Sequence, residues 1–253
     1  MPDLAEACQR WNRRDERIAG VSSVERRYAG DSAATRTRRR RATLIDVALS
    51  AMAENRWREA TVDGLCRAAR LNKRYFYESF DGLDALSDAV VDEVAAEVTA
   101  AAVSGYLPLL DRPVVEQASA AIGAAVDVLG ADPRKALVLL GGVPATPVAH
   151  EKRTAAIHNL TAALVEHART THDVALERDS LAATAPAFVI GGTAQAILSW
   201  ATGEMTISRD QLVADITALW LALDESAAGL ARERLSAAGE ISSGHTPGPR
   251  ADR

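Results

Sequence analysis

From residue 37 onward, apolar positions recur with the 3.6-residue period of helices that bury one face. In RRRRATLIDVALSAMAENRW, Leu44, Val47, Ala48 and Met52 share one face behind four arginines, which predicts a first helix over 37–54. Asn55 follows, a residue that tolerates the left-handed conformation closing a helix. Thr61 precedes VDGLCRAAR and can cap a short second helix over 62–69. Leu71 and Asn72 form a tight connection, with Asn72 capping a third helix over 73–80. After Asp81-Gly82 a long helix is predicted over 83–104, carrying Leu86, Val90, Val94 and Val98. Further helices are predicted over 113–129, 133–140, 147–171 and 180–203, bounded by Pro, Gly or polar turn signals. Ser208 and Gln211 have the spacing of a capping box, and Leu212, Ile216, Leu219 and Leu223 repeat along the helix that follows.

Composition agrees with an all-α fold. The hydrophobic fraction of 48% leans on Ala, Leu and Val, while Gly and Pro are sparse and sit mainly at the boundaries. A chain of 253 residues suits one small domain joined to a larger one. The expected division is a poorly ordered extension over 1–34, a three-helix helix-turn-helix domain over 35–82, a larger helical bundle over 83–230 and a flexible tail over 231–253. In the extension Leu4, Cys8 and Trp11 share a helical face, and the tail ends in GEISSGHTPGPRADR, rich in Gly, Ser and Pro.

The net charge of -5 conceals a separation. Residues 36–80 hold eleven cations against five acids, whereas the 173 residues outside 1–80 hold twelve against twenty-three. A basic module therefore precedes an acidic one, and a polyanion would land on the first. Cys8 and Cys66 are too few for a disulfide framework and have no zinc spacing. Asp3, Glu6, Arg10, Arg13 and Arg14 stand where a signal peptide needs an apolar core, and no run of eighteen apolar residues without a charge is expected. A cytoplasmic protein with no membrane partner is expected.

The aromatic residues narrow this further. Tyr75, Phe76, Tyr77 and Phe80, four of the seven Phe and Tyr residues, crowd into RLNKRYFYESF. On a helix Phe76 and Phe80 stack on one side, where Leu65, Ala68 and Leu71 can complete a small core. Lys73 and Tyr77 lie on another face, flanked by Arg74 and Tyr75, so two cations and two phenols are expected to point outward together. Two short helices joined by a tight turn, the second displaying such groups, have the geometry of a helix-turn-helix that enters the major groove of double-stranded DNA. Thr61, Asn72 and Lys73 sit at the two helix starts, where free backbone amides can face phosphates.

Other features read as structural. Cys66 reads as a buried small residue. His150, His158, His167 and His172 include no i, i+4 pair, so no metal site is expected. Gly141-Gly142 lacks the Lys-Ser or Lys-Thr of a phosphate loop and reads as a helix terminator. Trp200 and Trp220 read as core or interface residues. No paired His and carboxylate or activated nucleophile is present, so neither an enzyme nor a cofactor is expected.

The stretch TRRRRATLIDVALSAMAENRWREATVDGLCRAARLNKRYFYESFDGLDAL resembles the TetR family of bacterial transcriptional regulators in the spacing of Thr61, Ala69, Lys73, Tyr77, Phe80 and Leu86. GGTAQAILSWATGEMTISRDQLVADITALW resembles the two dimerising helices that end that family's fold. The resemblance implies phosphate-positioning roles for Thr61, Lys73 and Tyr77 and base reading by Arg74 and Tyr75, with further backbone or minor-groove contacts from Arg38 to Arg41. It also implies a homodimer with Gly191, Gly192, Ala194 and Ala196 at its seam, and a repressor released from a palindromic operator by a small-molecule effector of unknown identity. Three positions depart from the family: Arg70 stands where Gly is usual, Arg74 where a small residue is usual, and Leu83 where a phosphate-contacting Lys is usual. The last keeps open an alternative, a helical protein-interaction module that retains the fold without binding DNA.

Overall fold

A computed structural model describes residues 32–141, 171–173 and 176–243. Contacts divide the chain into Met1–Arg36 and Thr37–Arg253, and the account below concerns the second unit except where Ser32 is named. Among the described residues there are eight α-helices of assigned bounds and no strand. They are α1 (Ala33–Ala53), α2 (Val62–Ala68), α3 (Lys73–Tyr77), α4 (Leu83–Tyr106), α5 (Val114–Ala131), α6 (Pro133–Leu140), α7 (Leu181–Ala201) and α8 (Arg209–Ser243). Short 3-10 turns at Trp57–Glu59, Leu107–Leu109 and Leu176–Arg178 accompany them, none of which the apolar period signals. The helix expected over 147–171 falls almost wholly outside the described residues.

Helix ends follow local chemistry. The first helix starts earlier than expected because the Ser32 hydroxyl accepts from the Thr35 amide at 3.1 Å. It closes on Asn55 in the left-handed region, φ 56°, with Arg56 N–H donating to the Ala51 carbonyl at 2.8 Å. α3 is shorter than expected, yet Phe80 N–H still donates to the Phe76 carbonyl at 2.9 Å, which holds residues 78–80 in a continuing turn. Gly141 ends α6 as expected; a Cβ there would stand 2.4 Å from the Leu137 carbonyl oxygen. The capping box at α8 is half made. The Ser208 hydroxyl accepts from Gln211 N–H at 3.1 Å, but the Gln211 side chain donates onward to Asp215 at 2.7 Å.

Two apolar cores stack along the unit. The first joins Leu44, Ala48 and Met52 of α1, Leu65 and Cys66 of α2, Phe76 and Phe80 at α3, and Leu86, Val90 and Val94 of α4. Ala69 enters it in place of the expected Ala68, which is exposed. The second core joins Val126, Leu129, Ala136, Ile197, Leu212, Val213 and Ile216, with Trp200 and Trp220 half-buried against it. Trp200 Nε1 donates to the Ile207 carbonyl at 3.1 Å, and Trp220 Nε1 donates to Thr193 Oγ1 at 2.7 Å, so both rings pack as core with their N–H groups satisfied. Helices α4 and α5 approach closely because Gly105 has no Cβ, which would meet the Ala120 carbonyl oxygen at 2.7 Å.

The tail boundary expected at residue 231 is corrected, since α8 continues to Ser243. Ala228 and Ala231 are buried there with Leu235 and Leu181 packed beside them, so apolar contact prolongs the helix into residues read as tail. The reading that no run of eighteen apolar residues lacks a charge also needs correction. α5 and α7 are both long and apolar enough to cross a bilayer by length and composition, and α7 has no charged residue over 21 positions. In this fold both helices place apolar residues in the second core, Val126 and Leu129 from α5 and Ile197 from α7.

Candidate nucleic-acid interface

Helices α2 and α3 are joined by a tight turn closed by backbone and side-chain hydrogen bonds. Arg70 lies in the left-handed region, φ 53°. Its N–H donates to Arg67 O at 3.1 Å, and Leu71 N–H donates to Cys66 O at 2.9 Å, the double closure of a Schellman ending. Asn72 Oδ1 then accepts from Tyr75 N–H at 3.3 Å, starting α3 immediately. At the start of α2, Thr61 Oγ1 accepts from Gly64 N–H at 3.1 Å. That leaves the Thr61 hydroxyl proton free of the cap and able to be donated outward.

α3 divides by face. Phe76 is fully buried, its ring edge-on to Tyr77 at 5.3 Å and tilted against Phe80 at 5.8 Å. Outward stand Lys73 and Arg74, their side chains 57% and 82% exposed, and Tyr77, 59% exposed. Thr61 and Asn72 are exposed beside them. Five of the six expected site residues, Thr61, Asn72, Lys73, Arg74 and Tyr77, therefore share the solvent side of the helix-turn-helix.

Tyr75 differs. It is half-buried, with the Arg40 guanidinium carbon 3.8 Å from its ring centroid. The α1 arginine run supplies that cover, which the periodicity of α3 alone does not reveal. Arg41 similarly lies 5.3 Å from the Phe80 centroid and pairs with Glu93 at 3.2 Å. Two of the four arginines in the run therefore brace the domain, while Arg38 and Arg39 are exposed.

Two acids, which the sequence reading passes over, organise the cations. Asp63 receives Lys73 Nζ at 3.0 Å and Arg67 Nη2 at 2.9 Å. The hydrogen bond from Lys73 and its charge, with Arg67 adding, hold the Asp63 carboxyl below the usual carboxylate range. Glu78 receives Arg74 Nε at 3.1 Å and stands 3.7 Å from Arg40 Nη2. The i, i+4 pairs Asp63–Arg67 and Arg74–Glu78 are legible from spacing, but Lys73–Asp63 crosses the turn and is not. Cys66 lies beneath this surface, buried as expected, and burial followed by the nearby Asp63 charge pushes its thiol up. The expectation that no His pairs with a carboxylate is corrected at His172, which bonds Asp224 at 2.7 Å across 52 residues of sequence, while His150, His158 and His167 lie outside the described residues.

No family model matches the chain. No curated protein matches it either. Solved structures do. A putative transcriptional regulator from Pseudomonas aeruginosa PAO1 superposes with a TM-score of 0.60 at 21% identity, covering 77% of this chain and 94% of that one. A TetR-family transcriptional regulator from Streptomyces coelicolor superposes at 0.57 and 18% identity, covering 84% and 92%. This chain has a TetR-like fold. Another neighbour, the transcriptional regulator FadR from Bacillus subtilis in complex with stearoyl-CoA, superposes at 0.54 and 15% identity, covering 71% and 96%. Within the TetR-like fold, α1 to α3 form the helix-turn-helix and α4 leads into the larger helical body.

Proposed function

We propose that the protein is a homodimeric, cytoplasmic DNA-binding transcriptional regulator, a repressor released from a palindromic operator by a small-molecule effector. The observation that carries this reading is the division of α3: Phe76 is fully buried while Lys73 and Arg74 face solvent on a TetR-like helix-turn-helix. In the proposed complex Thr61, Asn72, Lys73 and Tyr77 position phosphates, and Arg74 reads a base edge. Tyr75 reads a base only after Arg40 moves off its ring. Arg70 and Arg74 supply the charge that Leu83, half-buried against the first core, cannot.

One recognition helix reads only a few base pairs, so two subunits spanning about 34 to 36 Å or a multiple are required for a palindrome. The proposed seam lies on α7 and α8. Phe188 and Leu219 are 71% and 62% exposed, and nothing stands within 4 Å of a Cβ placed on Gly191 or Gly192, so a second helix can approach closely there. Ala196, by contrast, packs into the subunit's own second core. Long-chain acyl-CoA is the first effector class to test, since one neighbour holds stearoyl-CoA. Effector binding alters DNA affinity only through different affinities for two subunit arrangements.

A band-shift titration over a salt series tests the reading. Each neutralised phosphate contributes a log–log slope of about -0.9, and the Lys73→Ala, Tyr77→Ala double variant should flatten it. Salt-independent binding, or none, favours the alternative of a protein-interaction module, for which Leu83 is the supporting observation.

A further inference from the structure

We infer that Asp63 and Glu78 are specificity-determining residues for DNA: they hold the interface cations in internal ion pairs, so that a duplex meets these cations already partly neutralised and competes with the two carboxylates for them. The inference deepens the proposed DNA-binding function and rests on it. Four cations at the helix-turn-helix are shared between two carboxylates. Lys73 and Arg67 meet Asp63 at 3.0 and 2.9 Å, and Arg74 and Arg40 meet Glu78 at 3.1 and 3.7 Å. Arg70, on the turn between the helices, has no ion-pair partner among the described residues.

The consequence follows from where these acids stand. Both carboxylates are solvent-accessible, 54% and 35% exposed, and lie within hydrogen-bonding distance of the groups proposed to touch DNA. A phosphate drawing Lys73 outward competes with the Asp63 pair and sits near a carboxylate that Arg67 alone then neutralises. Exposed pairs are weak, so each exchange costs little alone, yet the cost recurs for every cation moved. On an arbitrary duplex the phosphate contacts that replace these pairs are offset by carboxylate repulsion. On the correct site the Arg74 contact to a base edge is added, and only there is the whole exchange favourable.

Glu78 adds a link between two contacts. It approaches both Arg74 and Arg40, and Arg40 covers the Tyr75 ring at 3.8 Å. Arg74 and Arg40 therefore compete for one carboxylate, and moving Arg74 toward a base leaves Glu78 to act on Arg40, the cation that shields Tyr75.

The test begins by selecting a binding site from randomised duplexes with the full-length protein. Wild type, Asp63→Asn and Glu78→Gln are then titrated on that site and on a random-sequence duplex across a salt series. The expected result is tighter binding of the random duplex by each variant, by about fivefold at low salt, with a smaller gain on the selected site and a lower specificity ratio. The charge-conserving Asp63→Glu should stay near wild type, and circular dichroism should show all variants folded, since the replaced groups are exposed. Wild type that binds DNA while both neutral variants keep its random-duplex affinity overturns the inference alone. Wild type without salt-dependent affinity for any duplex removes the DNA reading and the inference with it.

Discussion

The guanidinium of Arg134, in the first turn of α6, stands 3.0 Å from the carboxylate of Asp46 on α1. It also donates to Ser50 Oγ at 2.7 Å and meets Asp132 at 2.7 Å. One side chain of the helical body thus grips the first helix of the helix-turn-helix at two successive turns, and the paired acids strengthen its protonated state. These contacts join α6 to α1.

The joint predicts a measurable coupling. Arg134 and Asp46 are 37% and 64% exposed, so water screens the pair and the expected interaction is small, about 0.5 kcal/mol. Denaturant unfolding of Arg134→Met, Asp46→Asn and the double variant should give that coupling energy with the sign of an attraction. Strict additivity would show that the contact carries nothing.

Arg70 predicts opposite effects on stability and binding. A non-glycine residue at φ 53° is strained, and Arg70→Gly should stabilise the fold by about 0.5 to 1 kcal/mol. Asn55→Gly should gain less, because Asn tolerates its φ of 56°. If Arg70 touches a phosphate, the same substitution lowers the salt slope for DNA by about 0.9. A variant that gains stability and keeps the wild-type slope would remove Arg70 from the interface.

The helix-turn-helix was legible in sequence because its signals are local. Thr61 and Asn72 cap by side chains three residues from their targets, and Phe76 with Phe80 declares the buried face within one turn. What stayed hidden depends on distant partners. Arg40 over Tyr75 joins positions 35 residues apart, and Lys73 reaches Asp63 across the turn. The apolar repeat groups Leu219 with Leu212 and Ile216 on one stripe of α8, yet Leu219 is exposed, because Val213 and Thr217 occupy the core beside those two instead. A stripe shared between a subunit's own core and an outer face cannot be divided from periodicity alone.

Ser87 supplies a test of the first core. Its hydroxyl is fully buried among the residues around Leu86 and Val90 and has no hydrogen-bond partner among the described residues. An unsatisfied buried hydroxyl costs about 1 kcal/mol or more, so Ser87→Ala should raise the unfolding midpoint, by about 1 kcal/mol of stability. A loss of stability of that size would mean the hydroxyl makes a bond in solution.

Asp63 offers a test that needs no DNA. Its carboxyl is depressed first by the Lys73 hydrogen bond and charge, then by Arg67. A group whose folded value lies below its unfolded one favours folding above the unfolded value, and that contribution is lost as pH falls through the folded value. Carboxyl carbon shifts followed by NMR should place Asp63 below the ordinary carboxylate range. In Lys73→Met the value should rise toward that range, and in Arg67→Met it should rise less, following the order of the two causes. Added salt should move the wild-type value in the same upward direction, since the pair is exposed and screened. An Asp63 value indifferent to Lys73→Met would show that the cross-turn pair does not persist in solution, and the ion-pair exchange proposed for Lys73 would lose its starting point.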